Sequence, residues 1–222
     1  MGYGRAAFHA LAGILLSVTS AGCVRSAHYD RPSLINPGTM EYSQLIPYRK
    51  LTRADFRASS RPEPLTTATV AAVCTQIVAA PDVRFRVLPI PIQHNAYHDQ
   101  YEMIVVDPGF RGVVNPTCSW WEADGYSRTR VLEHEQVHFA IAELQARSLN
   151  WRIAQNFKHD GFGGETPMII IRELLDETIL NTLEMNERFD KEMFLSHESR
   201  SVRQTWLERL EAALRRTAAY AR

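Results

Sequence analysis

The chain has 222 residues, and its 25 Lys and Arg balance 25 Asp and Glu, so the formal net charge is zero. That balance leaves no basic stripe for nucleic acid and no acidic solvating tail. Hydrophobic residues make up 45 %, which suits one globular domain with appendages and excludes a disordered or fibrous chain.

The N-terminus reads as a targeting segment. Arg5 supplies positive charge, and residues 6–18 form an apolar core of signal-peptide length, too short to span a bilayer. Thr19-Ser20-Ala21-Gly22-Cys23 then places small residues before a cysteine, similar to a bacterial lipobox. On this reading residues 1–22 are a signal peptide and Cys23 is lipidated. Ser20 stands where Leu is usual, so ordinary signal-peptidase cleavage nearby is the alternative. Residues 23–50 carry Pro32, Pro37-Gly38 and Pro47 with no visible period, and are expected to be a tether. A single domain is expected over 51–222.

Leu51 to Phe56 opens the ordered structure, and residues 57–64 read as a loop. From Thr66 to Val78 the residues are β-branched and small, which leaves strand and short helix both open. Val83 to Leu88 alternates apolar and polar, a strand signature, and Tyr101 to Val106 is a second strand closed by Asp107-Pro108-Gly109. Residues 66–120 are therefore expected to form a small antiparallel sheet. With Cys23 taken by lipid, Cys74 and Cys118 remain as a pair that an oxidising compartment can join. Closing that loop contributes about 4 kcal/mol in the chain-entropy model. Two separate buried thiols are the alternative.

The remainder is predicted helical. The first helix runs from about Thr129 to Leu149 and contains His134-Glu135-Gln136-Val137-His138, an H-E-x-x-H pattern. Residues four apart lie about 40° from each other round a helix, so the two imidazoles project from one face and can grip one zinc ion. Glu135 lies on the rim of that face, where a carboxylate can act as general base. A second helix starts at Thr166-Pro167 and runs to about Phe194, with Ile171, Leu174, Leu175, Ile179 and Leu183 as its apolar stripe. A third runs from about Ser199 to Ala219.

Two imidazoles leave zinc under-coordinated, because a catalytic site uses three protein donors. Glu143 lies about 180° round the helix from His134 and is expected to pair with a neighbouring element instead. Glu173 and Glu177 project opposite the apolar stripe and read as a solvated face. His159 lies in a Gly-rich loop. His197, at the break between the second and third helices, is the preferred third ligand. Tyr126 and Arg200 are candidates for an oxyanion donor that nothing in their spacing fixes.

These residues together resemble a family of predicted secreted bacterial zinc-dependent proteases. Leu51-Thr52-Arg53-Ala54-Asp55-Phe56 is similar to the family's opening L-[ST]-W-x-D-F, with Arg53 in place of Trp. Ser119-Trp120 matches a Ser-Trp before the metal helix. Residues 132–147, LEHEQVHFAIAELQAR, look like L-x-H-E-Q-x-H-F-D-I-A-E-x-x-A-R. Phe189-Asp190, His197, Gln204 and Trp206 are similar to Y-D-x-x-T-x-H-G followed by Q and W. The resemblance implies a small β layer against a helical metal site, and metallopeptidase activity.

The expected fold class is α+β, a small antiparallel sheet followed by a helical, zincin-like half carrying H-E-x-x-H. The expected function is that of an exported, lipid-anchored zinc metallopeptidase acting on a peptide or protein substrate. His134, His138 and His197 are its metal ligands, Glu135 its catalytic base, and Cys23 its point of membrane attachment. The alternative is a non-catalytic zinc-binding envelope lipoprotein, acting as a structural or binding module.

Overall fold

Among the described residues of the computed structural model, seven short strands precede three long helices. It describes residues 42–62, 69–80, 84–89, 101–107, 109–122, 128–156 and 166–221. The expected signal peptide, Cys23, most of the expected tether, Tyr126 and His159 lie outside the described residues. The class is α+β, as expected.

The strands are β1 (Ile46–Pro47), β2 (Ala71–Ala72), β3 (Thr75–Ala79), β4 (Arg84–Pro89), β5 (Tyr101–Asp107), β6 (Phe110–Val114) and β7 (Trp120–Trp121). They form three antiparallel groups, β1-β6-β3, β2-β7 and β4-β5, where the sequence suggested one sheet. Of the stretch from Thr66 to Val78 left open between strand and helix, Ala71–Ala72 and the residues from Thr75 on form strands, where β-branched Thr75, Ile77 and Val78 pack well on a pleated surface. The folded body also includes residues before Leu51. Leu45 and Ile46 are buried, and Ile46 and Pro47 pair with Val114 and Val113 of β6. Two apolar residues among prolines are too short to show a period, so their burial is a tertiary outcome.

Cys74 and Cys118 form a disulfide, with their Cα atoms 5.6 Å apart. Beside it, the buried Ser119 hydroxyl accepts from the Cys74 N–H and donates to the Asn115 carbonyl. The L-T-R-A-D-F segment is clipped by Asp55, which accepts from Arg49 through both carboxylate oxygens (2.6 and 2.9 Å) and from the Thr52 N–H (2.7 Å). Leu51 and Phe56 are thereby held in the core. Arg53 lies over the Trp121 ring, 5.4 Å from its centroid.

The helices are α1 (Arg128–Asn156), α2 (Thr166–Leu195) and α3 (Ser199–Arg216). Among the described residues no helix is long and apolar enough to cross a membrane. α1 is the hub. From Val137 to Glu143 every residue is buried, because strands cover one side and α2 and α3 the others. Ala146, Leu149 and Ile153 pack with Ile77, Phe110 and the α2 residues Ile171, Leu174, Leu175 and Ile179. Phe139 packs with Ile46, Leu51, Phe56, Val73, Val114 and Trp121. Val137, Ala140 and Ile141 pack with Phe189 of α2 and Trp206, Leu210 and Leu214 of α3. Side-chain pairs set the directions. Arg152 meets Glu177 and His138 meets Asn186, so α2 runs antiparallel to α1; Arg203 approaches Glu133 and Arg147 donates to the Leu214 carbonyl, so α3 runs parallel to it.

Polar side chains of α1 also complete the strands. β1 pairs with β6 only at Val113 and Val114. Beyond it, the Gly112 N–H donates to Glu143 (3.0 Å) and the Phe110 N–H to Asn150 (3.0 Å). Asn150 returns a bond to the Phe110 carbonyl (2.9 Å). Buried backbone N–H groups need acceptors, and the helix provides them where no strand does. This brings α1 against β6: a Cβ on Gly112 would meet the Glu143 backbone nitrogen at 2.5 Å and its Cα at 2.6 Å. Backbone cannot move aside as a flexible side chain can. Gly112→Ala is therefore expected to cost about 2–3 kcal/mol, or to prevent folding, measured as the fall in urea midpoint. An unchanged midpoint would show that α1 is not seated on this strand.

Candidate metal centre

The two histidines of the H-E-x-x-H pattern do converge. His134 Nε2 and His138 Nε2 lie 3.2 Å apart, with the rings edge to face. The third member of the cluster is Asp190 on α2, whose Oδ1 is 3.3 Å from His134 Nε2 and 3.2 Å from His138 Nε2. His134, His138 and Asp190 form a group able to hold a metal ion. The cluster is open on one side: the His138 side chain is fully buried, while those of His134 and Asp190 keep 14 % and 21 % exposure. Phe189, fully buried, forms the apolar wall, its ring 4.8 Å from that of His134 and 5.2 Å from that of His138. Trp206 backs Phe189 from α3 at 5.6 Å.

His197 is not brought to this pair. It is exposed on the turn between α2 and α3, while the cluster lies at the level of residues 186–190. Seven residues beyond Asp190 correspond to roughly 10 Å along a helix axis. Asp190 takes the expected third position instead. Its signal is in the sequence. The buried stripe of α2 passes through Leu175, Ile179, Thr182 and Asn186 to Phe189, with Asp190 beside it. The apolar stripe breaks off after Leu183 in the sequence because two of the next inward positions, Asn186 and Asp190, are polar. Asp190 also belongs to the Phe-Asp pair that carried part of the family resemblance.

Burial pulls the His138 imidazole down, but the charge and hydrogen bonding of Asp190 outweigh it, and Glu135 and Asn186 add to the rise, which reaches about 9. Burial pushes the Asp190 carboxyl up, but His138 and His134 together hold it well below the usual carboxylate range. In the metal-free protein His138 and Asp190 thus form a charged pair. His138 Nδ1 lies 2.8 Å from Asn186 Oδ1, and because that oxygen only accepts, Nδ1 carries the proton.

Glu135 is buried, and its Oε2 accepts from the Val73 N–H at 2.8 Å. Its carboxylate therefore lies between α1 and the segment joining β2 to β3, next to the disulfide. The neighbouring Gln136 accepts from the Leu51 N–H (2.7 Å). Glu143 bonds Gly112 and Arg147 (2.7 Å), the neighbour-pairing role its position predicted, and burial raises its carboxyl. Glu173 and Glu177 are exposed, with Glu177 paired to Arg152, and Arg200 is exposed.

Comparison of the chain with protein-family models, curated proteins and solved structures gives no match.

The charged pair makes the metal-free protein sensitive to pH. The His138 contribution is complete below its ordinary value of 6.5 and disappears as pH rises through about 9. The Asp190 contribution is present above its ordinary value of 3.8 and disappears on acidification well below it. Chelator-treated protein is therefore expected to lose thermal stability between pH 6.5 and 9, followed by circular dichroism melts. Asp190→Asn should flatten that fall; an equal slope in both proteins would show that the pair is not charged.

Proposed function

We propose that the chain is an exported zinc peptidase that hydrolyses peptide bonds in peptide or protein substrates. The observation that carries this reading is the triangle of donors His134, His138 and Asp190, open to solvent on one side and flanked on its own helix by the buried Glu135. Tetrahedral zinc with bonds of about 2.0–2.1 Å separates its donors by roughly 3.3 Å. The spacings of 3.2, 3.2 and 3.3 Å match that requirement. Two imidazoles with one carboxylate are a donor set that zinc accepts, and an open side is what distinguishes a catalytic from a structural site.

When bound, zinc supplies Lewis acidity, drawing the pKa of water toward neutrality and polarising a carbonyl. His134, His138 and Asp190 hold and orient it, and Phe189 keeps water from the inner side of the rings. Glu135 carries the proton, from the attacking water to the leaving amine. The Val73 N–H fixes the orientation of its carboxylate. The resemblance to secreted bacterial zinc-dependent proteases supports the same reading. So does the disulfide, which fits an oxidising compartment. Attachment to the membrane through a lipid on Cys23 belongs to this proposal.

The bond from Val73 favours a second reading as well. Glu135 serves there as a strut between α1 and the strands, a role that needs no turnover, and the chain would then be a zinc-binding envelope lipoprotein with a structural or binding task. Substitution separates the two. Glu135→Gln is expected to retain zinc, by metal analysis, and to lose at least about 100-fold in hydrolysis of casein or a peptide library. His134→Ala is expected to lose both zinc and hydrolysis. Zinc-loaded wild-type protein with no chelator-sensitive hydrolysis would leave only the second reading standing.

A further inference from the structure

We infer that Asn186 is a positioning residue for the metal site, selecting the form of His138 that can donate to a cation. This inference rests on the metal reading above. Three observations lead to it. First, Asn186 Oδ1 is the partner of His138 Nδ1 at 2.8 Å, on the side of the ring opposite the cluster. Secondly, both side chains are buried, His138 fully, so solvent does not compete for Nδ1. Thirdly, Asn186 Nδ2 is buried and has no hydrogen-bond partner among the described residues.

The orientation of the amide gives the direction of the effect. Its Oδ1 can only accept, so the facing Nδ1 donates, and the buried Nδ2 left without a partner among the described residues is the cost of that orientation. Turning the amide over would present Nδ2 to Nδ1. Nδ1 would then have to accept, and the neutral ring would carry its proton on Nε2. That atom is the one facing His134 Nε2 and Asp190 Oδ1. A proton there blocks it as a ligand. With Oδ1 toward Nδ1, one proton stays at the back of the ring, so the ring that gives up its other proton presents the Nε2 lone pair to the cluster.

The placement of Asn186 follows from the helix. It lies four residues before Asp190 on α2, so one helix face supplies both the carboxylate donor and the support for the opposite ring. Thr178 and Thr182 precede it on the buried face, their hydroxyls closed onto the carbonyls of Leu174 and Thr178 at 2.6 and 2.7 Å. Those two polar groups satisfy themselves within the helix. Asn186 is the first residue of that face to spend its oxygen on α1. Partners of this kind, behind a ligating histidine, are worth about 10–100-fold in metal affinity.

The test measures zinc affinity by competition with a chromophoric chelator, together with melting of the chelator-treated protein. Asn186→Leu, close in size but without the acceptor, is expected to bind zinc about 10–100-fold more weakly than wild type. Asn186→Asp keeps an acceptor oxygen and is expected to bind within about threefold of wild type, or more tightly. The cobalt-substituted Asn186→Asp protein should keep the wild-type visible absorption spectrum, which a loss of packing alone would not predict. Leu and wild-type proteins with equal zinc affinity, whatever their melting points, would overturn the inference and leave the metal site intact. Asn186→Asp binding as weakly as Asn186→Leu would also overturn it. Should Asn186→Leu fail to fold, the Asp variant and Asn186→Ala decide on the same criteria. Wild-type protein that binds no zinc would remove both the metal reading and the role of Asn186, a result distinct from either of the others.

Discussion

The seat of α1 against β6 is the constraint on which the rest of the molecule depends. At Gly112 the strand backbone and the helix backbone come so close that no side chain fits between them. The helix can lie there only because its own polar groups take over the unpaired strand edge. Glu143 and Asn150 accept from Gly112 and Phe110, and Glu135 and Gln136 accept from Val73 and Leu51. Glu143 and Asn150 thus stand in for a missing strand beside β6, and Glu135 and Gln136 tie the same helix to the segments at Val73 and Leu51. Leaving any of those buried donors unmet costs the desolvation of a polar group, which makes the docking directional where apolar packing alone is not.

The candidate metal centre inherits this rigidity. His134 and His138 stand on the face of α1 turned away from the strands, toward α2, while Glu135 on the adjacent face is tied to the β layer. The same helix therefore fixes both the donors and the carboxylate relative to each other. α2 then adds Asn186, Phe189 and Asp190 from a single face, giving support, wall and third donor. The arrangement is buried on one side, at His138, and open on the other, at His134 and Asp190. The disulfide between Cys74 and Cys118 anchors the chain beside Val73, so the loop that orients Glu135 is covalently tied to the β7 side of the fold.

Much of the fold was legible in local pattern. The three helices fall close to where apolar periodicity places them, and β4 and β5 follow the alternation over Val83 to Leu88 and Tyr101 to Val106. The partition into three strand groups was not legible, since pairing partners such as Ala71 with Trp121 lie 50 residues apart and two-residue strands have no period. The same applies to Leu45 and Ile46, which read as part of a proline-punctuated tether and are core residues. His197 drew attention because a histidine at a helix break looks free to be aimed. The real geometry continues the inward stripe of α2 instead, where the polarity of Asn186 and Asp190 disguised their burial.

What the sequence determined by itself is the pair of imidazoles on one helical face with a carboxylate beside them, because four-residue spacing on a helix is a local property that no packing is needed to create. It also determined that Cys74 and Cys118 were the candidates for a bridge. Only the tertiary structure decided that Asp190 closes the cluster, that Asn186 stands behind His138, and that Glu135 bonds Val73. Each of those contacts joins residues about 50 or more apart, and their identity depends on which faces of α1 the strands and α2 come to occupy. That choice is made by the burial of α1 as a whole and by the close approach at Gly112, neither of which any single segment encodes.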